Sequence, residues 1–485
     1  MLSLLSPQHL AELCNGQWYQ GTVPSARFTA AQIDSRLMDN NQLFIALQGK
    51  QTDGHKFIAT LDPERQQAAI VEQPAPQARA AQLCVASSLH ALQTLSKEIA
   101  DRTTAVKFAL TGSVGKTGTK DMLYQMLTAF GTTHATKGNY NNNIGAPLTL
   151  AQMPEDTQFL VCELGMSHAG EIAELSAIVK PAIAAITCIA DSHIGHFDSI
   201  QQIADAKAEI FSSFTKGGTA ILPRDDAFFA YLEAAAKTAG AGRILSFGIH
   251  PESNFRLTET QRVKGGLRLA IDCTSDKNKT QTKSINFSLA MTAQHWAVNA
   301  ACALAMCAAA GLDVRTAATS LSDFGDLHGR GKTFDLTIAG NLLKLLDDSY
   351  NASPTSMKAA LDTLAEFPGQ NGVILSDMLE LGDVSTQAHL TLATQLTEVE
   401  ISWVIAIGPK MTAMSNVLPD SMNCICYPNS AVALSALDQD LALLAERTDN
   451  LLVKGSHGSG AYLISQHLLK TYSTVSAATE VHHAS

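Results

Sequence analysis

Thr111-Gly112-Ser113-Val114-Gly115-Lys116-Thr117 is the stretch that decides the fold of this 485-residue chain. A mostly apolar run, Val106 to Leu110, precedes it, and a helix-like segment, Lys120 to Phe130, follows it. In such a phosphate loop, backbone N–H groups and the helix N-terminus face the anion, the lysine reaches the outer phosphates, and the threonine hydroxyl holds Mg²⁺. We therefore predict nucleotide binding by the loop through Gly118, although Leu110 stands where the general pattern has its first glycine.

The composition is that of a well-buried globular protein that is too long for one core. A chain of 485 residues usually divides into two to four domains. A hydrophobic content of 46 % with 16 % charged residues excludes a disordered chain. The formal net charge of −11 argues against nucleic acid or an anionic membrane as the main partner, but local cation clusters still permit a phosphorylated substrate.

Targeting features and cysteine spacing predict a cytoplasmic protein without membrane insertion. Met1 to Leu5 is apolar but too short for a secretory signal, and the longest apolar stretch, Ala300 to Ala310, is below membrane-spanning length. The nine cysteines are odd in number and lack CxxC spacing. Free thiols in a reducing compartment therefore fit better than a disulfide framework or a zinc site.

Alternating apolar strands and helical segments predict an α/β protein of three domains, at residues 1–104, 105–320 and 321–485. In the central domain, Phe159 to Cys162 and Ala182 to Ile189 have the pattern of strands buried on both faces. That pattern favours a mostly parallel sheet with helical crossovers. Polar alternation between Arg243 and Leu289 predicts hairpins, with a turn at 275–278. The tail from Ser473 is expected to fray. Four later apolar runs predict a second, smaller α/β layer: Leu342 to Leu346, Gly372 to Leu375, Trp403 to Ile407 and Leu451 to Val453.

Three side chains of the central domain are candidates for phosphate or metal chemistry. Glu163 ends an apolar strand, where open α/β sheets place ligand-binding groups, although a helix-capping or surface glutamate fits equally well. His193 follows the next strand, but a loop histidine without such a role is more common. Lys207 lies on an amphipathic helix, where its spacing alone predicts a solvated surface charge.

Two further sites carry polar groups in apolar surroundings or at a strand end. Asn299 lies on the alanine-rich helix from Trp296 to Ala310, where an amide either completes a buried network or reads the edge of a ligand. Asp348 belongs to an acidic turn, 347–351, that follows the strand Leu342 to Leu346. Acidic turn residues are common, so the turn alone indicates only a candidate site.

Taken in order, these segments resemble the Mur ligase superfamily, ATP-dependent amide-forming enzymes of peptidoglycan synthesis. The resemblance spans nearly the whole chain and is strongest to the branch whose acceptor amine is the dipeptide D-alanyl-D-alanine. Besides the phosphate loop, the matching segments are Asp34-Ser35-Arg36, Phe44 to Gly49, Asp53-Gly54-His55, Gly138 to Pro147, Glu163 to His168, Gly170-Glu171-Ile172, Gly329-Arg330-Gly331, Asp348 to Pro354, Asp377 to Gly382 and Lys454-Gly455-Ser456.

This resemblance implies a fold and a reaction. It implies an N-terminal domain that binds the UDP-muramoyl-peptide, a central ATPase domain and a Rossmann-like C-terminal domain that closes over the site. The terminal carboxylate of UDP-N-acetylmuramoyl-tripeptide would attack the γ-phosphate of ATP, and the amine of D-alanyl-D-alanine would then displace phosphate from the acyl phosphate. The resemblance also implies two Mg²⁺ ions and a monomer.

The resemblance assigns roles residue by residue. Four groups are implied to be catalytic, namely Lys116, Glu163, His193 and Lys207, with Thr117, Glu163, His193 and Lys207 at the metal ions. Lys207 matches the lysine that the family carbamylates, which would make it a carboxylate-like metal ligand. Asn299 matches the adenine contact, Arg330 the linker arginine and Asp348 a nucleotide-side group. The implied substrate contacts are Ser35, Arg36, Asn139 and Asn142.

Three alternatives remain at this level. The sister ligase that adds the third amino acid, meso-diaminopimelate or L-lysine, usually carries Glu-x-Ser-Ser-His and an Asp-x-Pro-Arg-type loop, whereas this chain has Glu163 to His168 and no such loop. A folylpolyglutamate or cyanophycin-type ligase would lack the N-terminal UDP-sugar signature. A regulatory nucleotide-binding module without ligase activity is the third, and the intact catalytic set argues against it. The sequence does not identify the third residue of the tripeptide.

Overall fold

Three β-sheets, drawn in order from residues 17–84, 106–289 and 332–454, organise the chain. The computed structural model describes residues 1–49, 52–192, 194–263, 266–274, 282–291, 293–325 and 329–473. His193, the turn predicted at 275–278 and residues 474–485 of the tail lie outside these ranges. The predicted class, an α/β protein of three domains with mostly parallel sheets, is confirmed, while the domain boundaries remain a prediction.

The first sheet is small and is held by two capped helices. Ser6 and Ser87 accept hydrogen bonds from the backbone N–H groups of His9 and His90, which fixes where the helices begin. The elements are Gln17–Trp18 (β1), Ala30–Gln32 (β2), Gln42–Ile45 (β3), Ala68–Val71 (β4) and Ala81–Cys84 (β5), with helices Pro7–Leu13 (α1) and Ser88–Arg102 (α2). The strand order is β1-β5-β4-β3-β2, and only β1 with β5 is antiparallel.

The second sheet has nine strands and carries the phosphate loop. Its strands are Val106–Thr111 (β6), Thr133–Ala135 (β7), Phe159–Glu163 (β8), Ile183–Ile186 (β9), Thr219–Pro223 (β10), Arg243–Gly248 (β11), Phe255–Val263 (β12), Gly266–Thr274 (β13) and Thr282–Leu289 (β14). Its helices are Lys116–Thr128 (α3), Gly145–Ala151 (α4), Glu171–Val179 (α5), Ile200–Ala208 (α6), Phe229–Thr238 (α7), His295–Ala309 (α8) and Val314–Thr319 (α9).

The strand order places the phosphate loop at the middle of this sheet. The order is β14-β13-β12-β11-β10-β9-β6-β8-β7, with parallel pairs from β7 to β12 and antiparallel pairs among β12, β13 and β14. The antiparallel strands confirm the predicted hairpins. Because β6 lies between β8 and β9, the carboxyl ends of all three strands meet at one edge, where open α/β sheets bind ligands.

The third sheet is a smaller, mostly parallel α/β layer. Its strands are Lys332–Ile338 (β15), Asn341–Asp348 (β16), Asn371–Ser376 (β17), Trp403–Ile407 (β18), Asn423–Tyr427 (β19) and Asn450–Lys454 (β20), and its helices are Pro354–Ala365 (α10), Ser385–Glu398 (α11), Pro409–Ser415 (α12), Ser430–Leu444 (α13) and Ala461–Tyr472 (α14). The order is β15-β16-β20-β17-β18-β19, antiparallel only between β15 and β16.

The third domain contacts the edge of the second sheet where the phosphate loop lies. The backbone N–H of Gly195 donates to the carbonyl oxygen of Glu380 at 3.4 Å, and the Thr355 hydroxyl donates to Asp191 at 3.1 Å. A Cβ on Gly195 would lie 2.4 Å from the backbone nitrogen of Gly382, so only glycine permits this approach. The loops after β9 and β17 are therefore in direct contact.

All nine cysteines are free thiols, as their spacing predicted. The sulfur atoms of the nearest pair in sequence, Cys424 and Cys426, lie 3.9 Å apart on β19. A search of the described helices finds none that combines the length and apolar character needed to cross a membrane.

Candidate active site

Two glycines give the phosphate loop its shape between β6 and α3. Gly112 and Gly115 have positive φ angles of 151° and 85°, which side-chain-bearing residues rarely adopt. A Cβ on Gly112 would lie 1.8 Å from the Thr187 hydroxyl oxygen, and one on Gly115 would lie 2.8 Å from the Asn299 amide oxygen. The loop backbone therefore fits closely between the end of β9 and helix α8.

The segment after β9 fixes the loop from one side. The Thr187 hydroxyl donates to the Val114 carbonyl oxygen at 2.5 Å. The Ser113 hydroxyl donates to the Ala190 carbonyl oxygen at 2.8 Å and accepts from the Ala190 N–H at the same distance. The Ser113 N–H also donates to the Cys188 carbonyl oxygen at 2.9 Å, so the segment after β9 holds both the side chain and the backbone of this residue. The loop is thus preorganised for an anion.

Lys116 begins helix α3 and folds back over the loop. Its ammonium donates to the Gly112 carbonyl oxygen at 2.6 Å and to the Ser113 carbonyl oxygen at 3.4 Å. Burial lowers the pKa of Lys116, and the charge of Glu163 acts in the opposite direction. The ammonium therefore lies across the cradle, within reach of any phosphate bound there.

Glu163 offers a carboxylate oxygen in the position that a cation would need. The side chain is 1 % exposed at the carboxyl end of β8. One oxygen, Oε1, accepts a hydrogen bond from the Asn141 amide at 2.8 Å, whereas Oε2 is buried without a partner among the described residues. A buried carboxylate oxygen without a partner is costly. A divalent cation would satisfy it, so the donor set fits Mg²⁺.

Lys207 is buried, which contradicts the surface lysine that its helical spacing alone predicts. The side chain is 1 % exposed on α6, and its ammonium has no hydrogen-bond or ion-pair partner within the described ranges. Burial, followed by repulsion from Lys116, holds the pKa of Lys207 well below its usual value. The spacing failed because α6 packs this face against the domain instead of presenting it to water. The lowered pKa shifts the amine toward its neutral form.

Asn299 and Arg330 lie on two further sides of the loop. The Asn299 side chain is buried on α8 and faces Gly115 and Gly118. The Arg330 guanidinium stacks over the Tyr350 ring, 3.9 Å from its centre, and its charge acts on Lys116 and Asp121. These contacts bring the linker to the third domain close to the phosphate loop.

Asp348 is placed differently from a free nucleotide-binding carboxylate. It forms an ion pair with the buried ammonium of Lys454 at 2.5 Å. The same ammonium donates to the Asn351 carbonyl oxygen at 3.0 Å. Asp348 is therefore tied to β20 in the third domain. In its predicted role as a nucleotide contact, it would act while still paired with Lys454.

The four predicted substrate residues are spread over two domains. Ser35 and Arg36 lie in the first domain, where Arg36 is 86 % exposed at its side chain although it pairs with Asp34 at 2.6 Å. That hydrogen bond lowers the pKa of Asp34. Asn139 is exposed, and the Asn142 side chain accepts from the N–H groups of Ile144 and Gly145 at the start of α4.

Asn141 is the site residue that the sequence analysis missed. Its amide contacts Glu163, and its carbonyl oxygen accepts from the Gly165 N–H at 2.8 Å. It lies inside the matched segment from Gly138 to Pro147, so the signal was present. Only the fold, which brings residues 22 positions apart into contact, distinguishes it from the neighbouring asparagines.

The phosphate loop on a central strand, with a buried carboxylate beside it, defines the class of P-loop nucleotide-binding proteins. Three family models match the chain: the Mur ligase family catalytic domain over residues 27–101, the Mur ligase middle domain over 110–307, and the Mur ligase glutamate ligase domain over 335–457. The chain belongs to the Mur ligase family. It is thus an ATP-dependent amide-forming ligase that uses Mg²⁺.

Individual relatives of this chain are named for the same activity. The UDP-N-acetylmuramoyl-tripeptide–D-alanyl-D-alanine ligase of Rickettsia prowazekii is 31 % identical over 436 residues, covering 90 % of this chain and 94 % of the relative. That of Bacillus subtilis is 32 % identical, covering 83 % and 84 %. Among solved structures, MurF from Acinetobacter baumannii superposes with a TM-score of 0.82 at 30 % identity, covering 96 % of this chain and 98 % of that one.

Proposed function

We propose that this chain joins D-alanyl-D-alanine to UDP-N-acetylmuramoyl-tripeptide at the expense of ATP in peptidoglycan precursor synthesis. The observation that carries the proposal is similarity over 83–90 % of the chain to relatives that bear this activity in their names, together with a family-model match to the first domain. A folylpolyglutamate-type ligase would lack the UDP-sugar signature that the first domain carries. The segment from Glu163 to His168, without the Ser-Ser pair, favours the dipeptide over a single third amino acid.

The reaction has two chemical steps. A carboxylate oxygen of the tripeptide forms a bond to the γ-phosphorus of ATP while the bond to ADP breaks, which gives an acyl phosphate. The amine of the dipeptide then attacks the acyl carbon, loses a proton, and expels inorganic phosphate that keeps the carboxylate oxygen. Phosphoryl transfer depends mainly on positioning and on charge neutralisation, which a preorganised site supplies.

The phosphate loop and its neighbours supply that positioning. The Lys116 ammonium and the loop N–H groups up to Gly118 would hold the outer phosphates, with Asn299 at the adenine and Arg330 at the phosphates from the linker. Thr117 and Glu163 would hold Mg²⁺, which neutralises charge on the phosphates. We propose that His193 and Lys207 bind metal as well, with two ions in all.

We further propose that Lys207 works as a carbamate. Its amine is buried, has no partner among the described residues and has a lowered pKa, which favours the neutral form that adds to CO₂. An N–C bond forms, one nitrogen-bound proton leaves to water, and the product carries a carboxylate-like anion. That anion would have the Lys116 ammonium and a Mg²⁺ ion as neighbours, which offsets the cost of burying it.

The first domain would bind the UDP-muramoyl-peptide, and the chain would act as a cytoplasmic monomer. Ser35 and the exposed Arg36 offer a hydroxyl and a guanidinium for the nucleotide end of that substrate. Asn139 and Asn142 would contact its peptide end near Glu163. Nine free thiols agree with a reducing compartment.

The acceptor assignment is tested by comparing kcat/KM for different acceptor amines, each assayed with the UDP-muramoyl substrate that its ligase would extend. We expect kcat/KM to be highest for D-alanyl-D-alanine with UDP-N-acetylmuramoyl-tripeptide. Single D-alanine lacks the second methyl and the distant carboxylate, and even one missing methyl in an apolar pocket provides about 1–3 kcal/mol of discrimination against the smaller substrate. L-alanyl-L-alanine, whose methyl groups point the other way, should also be poor.

The same set of assays includes the outcome that would contradict the acceptor assignment. meso-Diaminopimelate and L-lysine are assayed with UDP-N-acetylmuramoyl-dipeptide, the nucleotide that the sister ligase extends. A kcat/KM for either diamino acid higher than that for D-alanyl-D-alanine would show that this chain has the sister ligase's activity instead.

A further inference from the structure

A second lysine of helix α3, one turn beyond Lys116, is buried beside the site. Lys120 is 2 % exposed, and its ammonium donates to the Thr136 carbonyl oxygen at 2.8 Å. It also lies 3.0 Å from a carboxylate oxygen of Asp121. Because a buried ammonium is costly unless it is paired and hydrogen-bonded, these contacts hold the side chain in one place.

Thr136 extends this contact to Glu163. The Thr136 hydroxyl oxygen accepts a hydrogen bond from the backbone N–H of Glu163 at 3.1 Å, and the Thr136 N–H donates to the Val161 carbonyl oxygen at 3.0 Å. Two hydrogen bonds and one residue therefore connect the Lys120 ammonium with the strand end that carries the Glu163 carboxylate.

Thr136 also begins the segment that holds the other side of that carboxylate. Five residues further on, Asn141 donates to Glu163 Oε1 and accepts from the Gly165 N–H. Lys120 thus helps to hold Thr136, the first residue of the segment 136–141. Glu163 of β8 and the following Gly165 hold Asn141, its last residue. Loss of the Lys120 contact would leave Thr136 held, among the described residues, only by its hydrogen bonds with Val161 and Glu163, while the Asn141 contacts remain.

We propose that Lys120 is a positioning residue for the metal-binding oxygen of Glu163. It acts through Thr136, which sets the backbone of Glu163, and through the segment that presents Asn141. Together these contacts fix the carboxylate whose Oε2 has no partner among the described residues, near enough to Lys116 for its charge to act on that ammonium. The proposal rests on the proposed function only in taking Glu163 as a ligand of Mg²⁺. Partners of this kind typically change metal affinity by about 10- to 100-fold when they are removed.

The test is the Mg²⁺ dependence of ADP binding, measured by calorimetry with Lys120→Met. We expect the Mg²⁺ concentration that gives half of the full ADP affinity to rise about 10-fold, with ADP affinity in the absence of Mg²⁺ unchanged. The matched control is Lys107→Met. Lys107 is also buried, at 8 % exposure, and donates to the Ala100 carbonyl oxygen at 2.7 Å. It lies near the start of β6, whereas the phosphate loop follows the other end of that strand. This control should leave the Mg²⁺ constant unchanged.

Thr136→Val provides a second variant in case Lys120→Met fails to fold. It removes the hydroxyl that accepts from Glu163 but keeps the carbonyl that accepts from Lys120, so the Mg²⁺ constant should rise in the same direction. An unchanged constant in the folded variants, or an equal rise in Lys107→Met, would overturn the proposal. The readout contains no acceptor amine and no muramoyl peptide, so a wrong acceptor assignment would appear in the substrate panel and leave this result untouched.

Discussion

Lys116→Ala is expected to lower kcat/KM by about 10²–10³-fold while the chain remains folded. The Lys116 ammonium lies over the phosphate loop and, among the described residues, is bound only to the loop carbonyl oxygens of Gly112 and Ser113. Its charge is needed most when negative charge shifts to the leaving ADP, so its loss removes stabilisation of the transition state. Removing one preorganised donor of this kind typically has an effect of that size.

Steady-state kinetics at saturating ATP separate this role from weaker binding. The reduction should persist in kcat, and the thermal unfolding temperature should stay close to that of the unmodified chain. Lys237→Ala, at an exposed lysine of α7 paired with Glu233, is the matched control and should keep full activity. Near-normal turnover of Lys116→Ala at saturating ATP would exclude this loop as the ATPase centre.

Lys207→Ala is expected to be nearly inactive, with a loss of about 10³-fold or more, since it removes a proposed metal ligand and an anion at once. Short carboxylic acids such as acetate or propionate should restore part of the activity, because they supply the missing anion in the space left by the side chain. Lys207→Arg should be inactive and should not be rescued, because it fills that space and takes up no CO₂.

Carbon dioxide and pH give a second check on Lys207 that needs no mutation. Only the neutral amine adds to CO₂. Burial, followed by repulsion from Lys116, lowers the pKa of Lys207 and so favours the neutral amine, which becomes charged as the pH falls through that lowered value. Activity should therefore fall on removal of bicarbonate and in acid, and return when bicarbonate is restored. Full activity of Lys207→Ala without any additive would show the metal-bridging role to be wrong.

The parts of the fold that were predictable are those in which local sequence carries a complete signal. The phosphate loop combines an apolar strand, two glycines at positive φ and a Lys-Thr pair, and all three lie within a dozen residues. Strand β18, at Trp403–Ile407, was predicted with its observed bounds because it is a continuous apolar run that is buried on both faces.

Other elements were not predicted because their signal comes from tertiary contacts. The edge strand β19, at Asn423–Tyr427, is half-exposed and mixes polar residues with two cysteines, so its apolar pattern is weak. The burial of Lys207 depends on how α6 packs, which helical periodicity does not record. The contact of Asn141 with Glu163 depends on the pairing of β7 with β8. Long-range packing thus decided the features that local patterns left open.

The central claim, that this chain makes an amide through an acyl phosphate, is tested most directly by following one oxygen atom. UDP-N-acetylmuramoyl-tripeptide labelled with ¹⁸O in its terminal carboxylate is incubated with ATP, Mg²⁺ and D-alanyl-D-alanine, and the released phosphate is analysed by mass spectrometry. The account predicts one ¹⁸O atom in the phosphate for each amide formed, because the carboxylate oxygen stays on the phosphorus when the amine attacks. Amide formation with unlabelled phosphate, or phosphate release without the pentapeptide product, would contradict it.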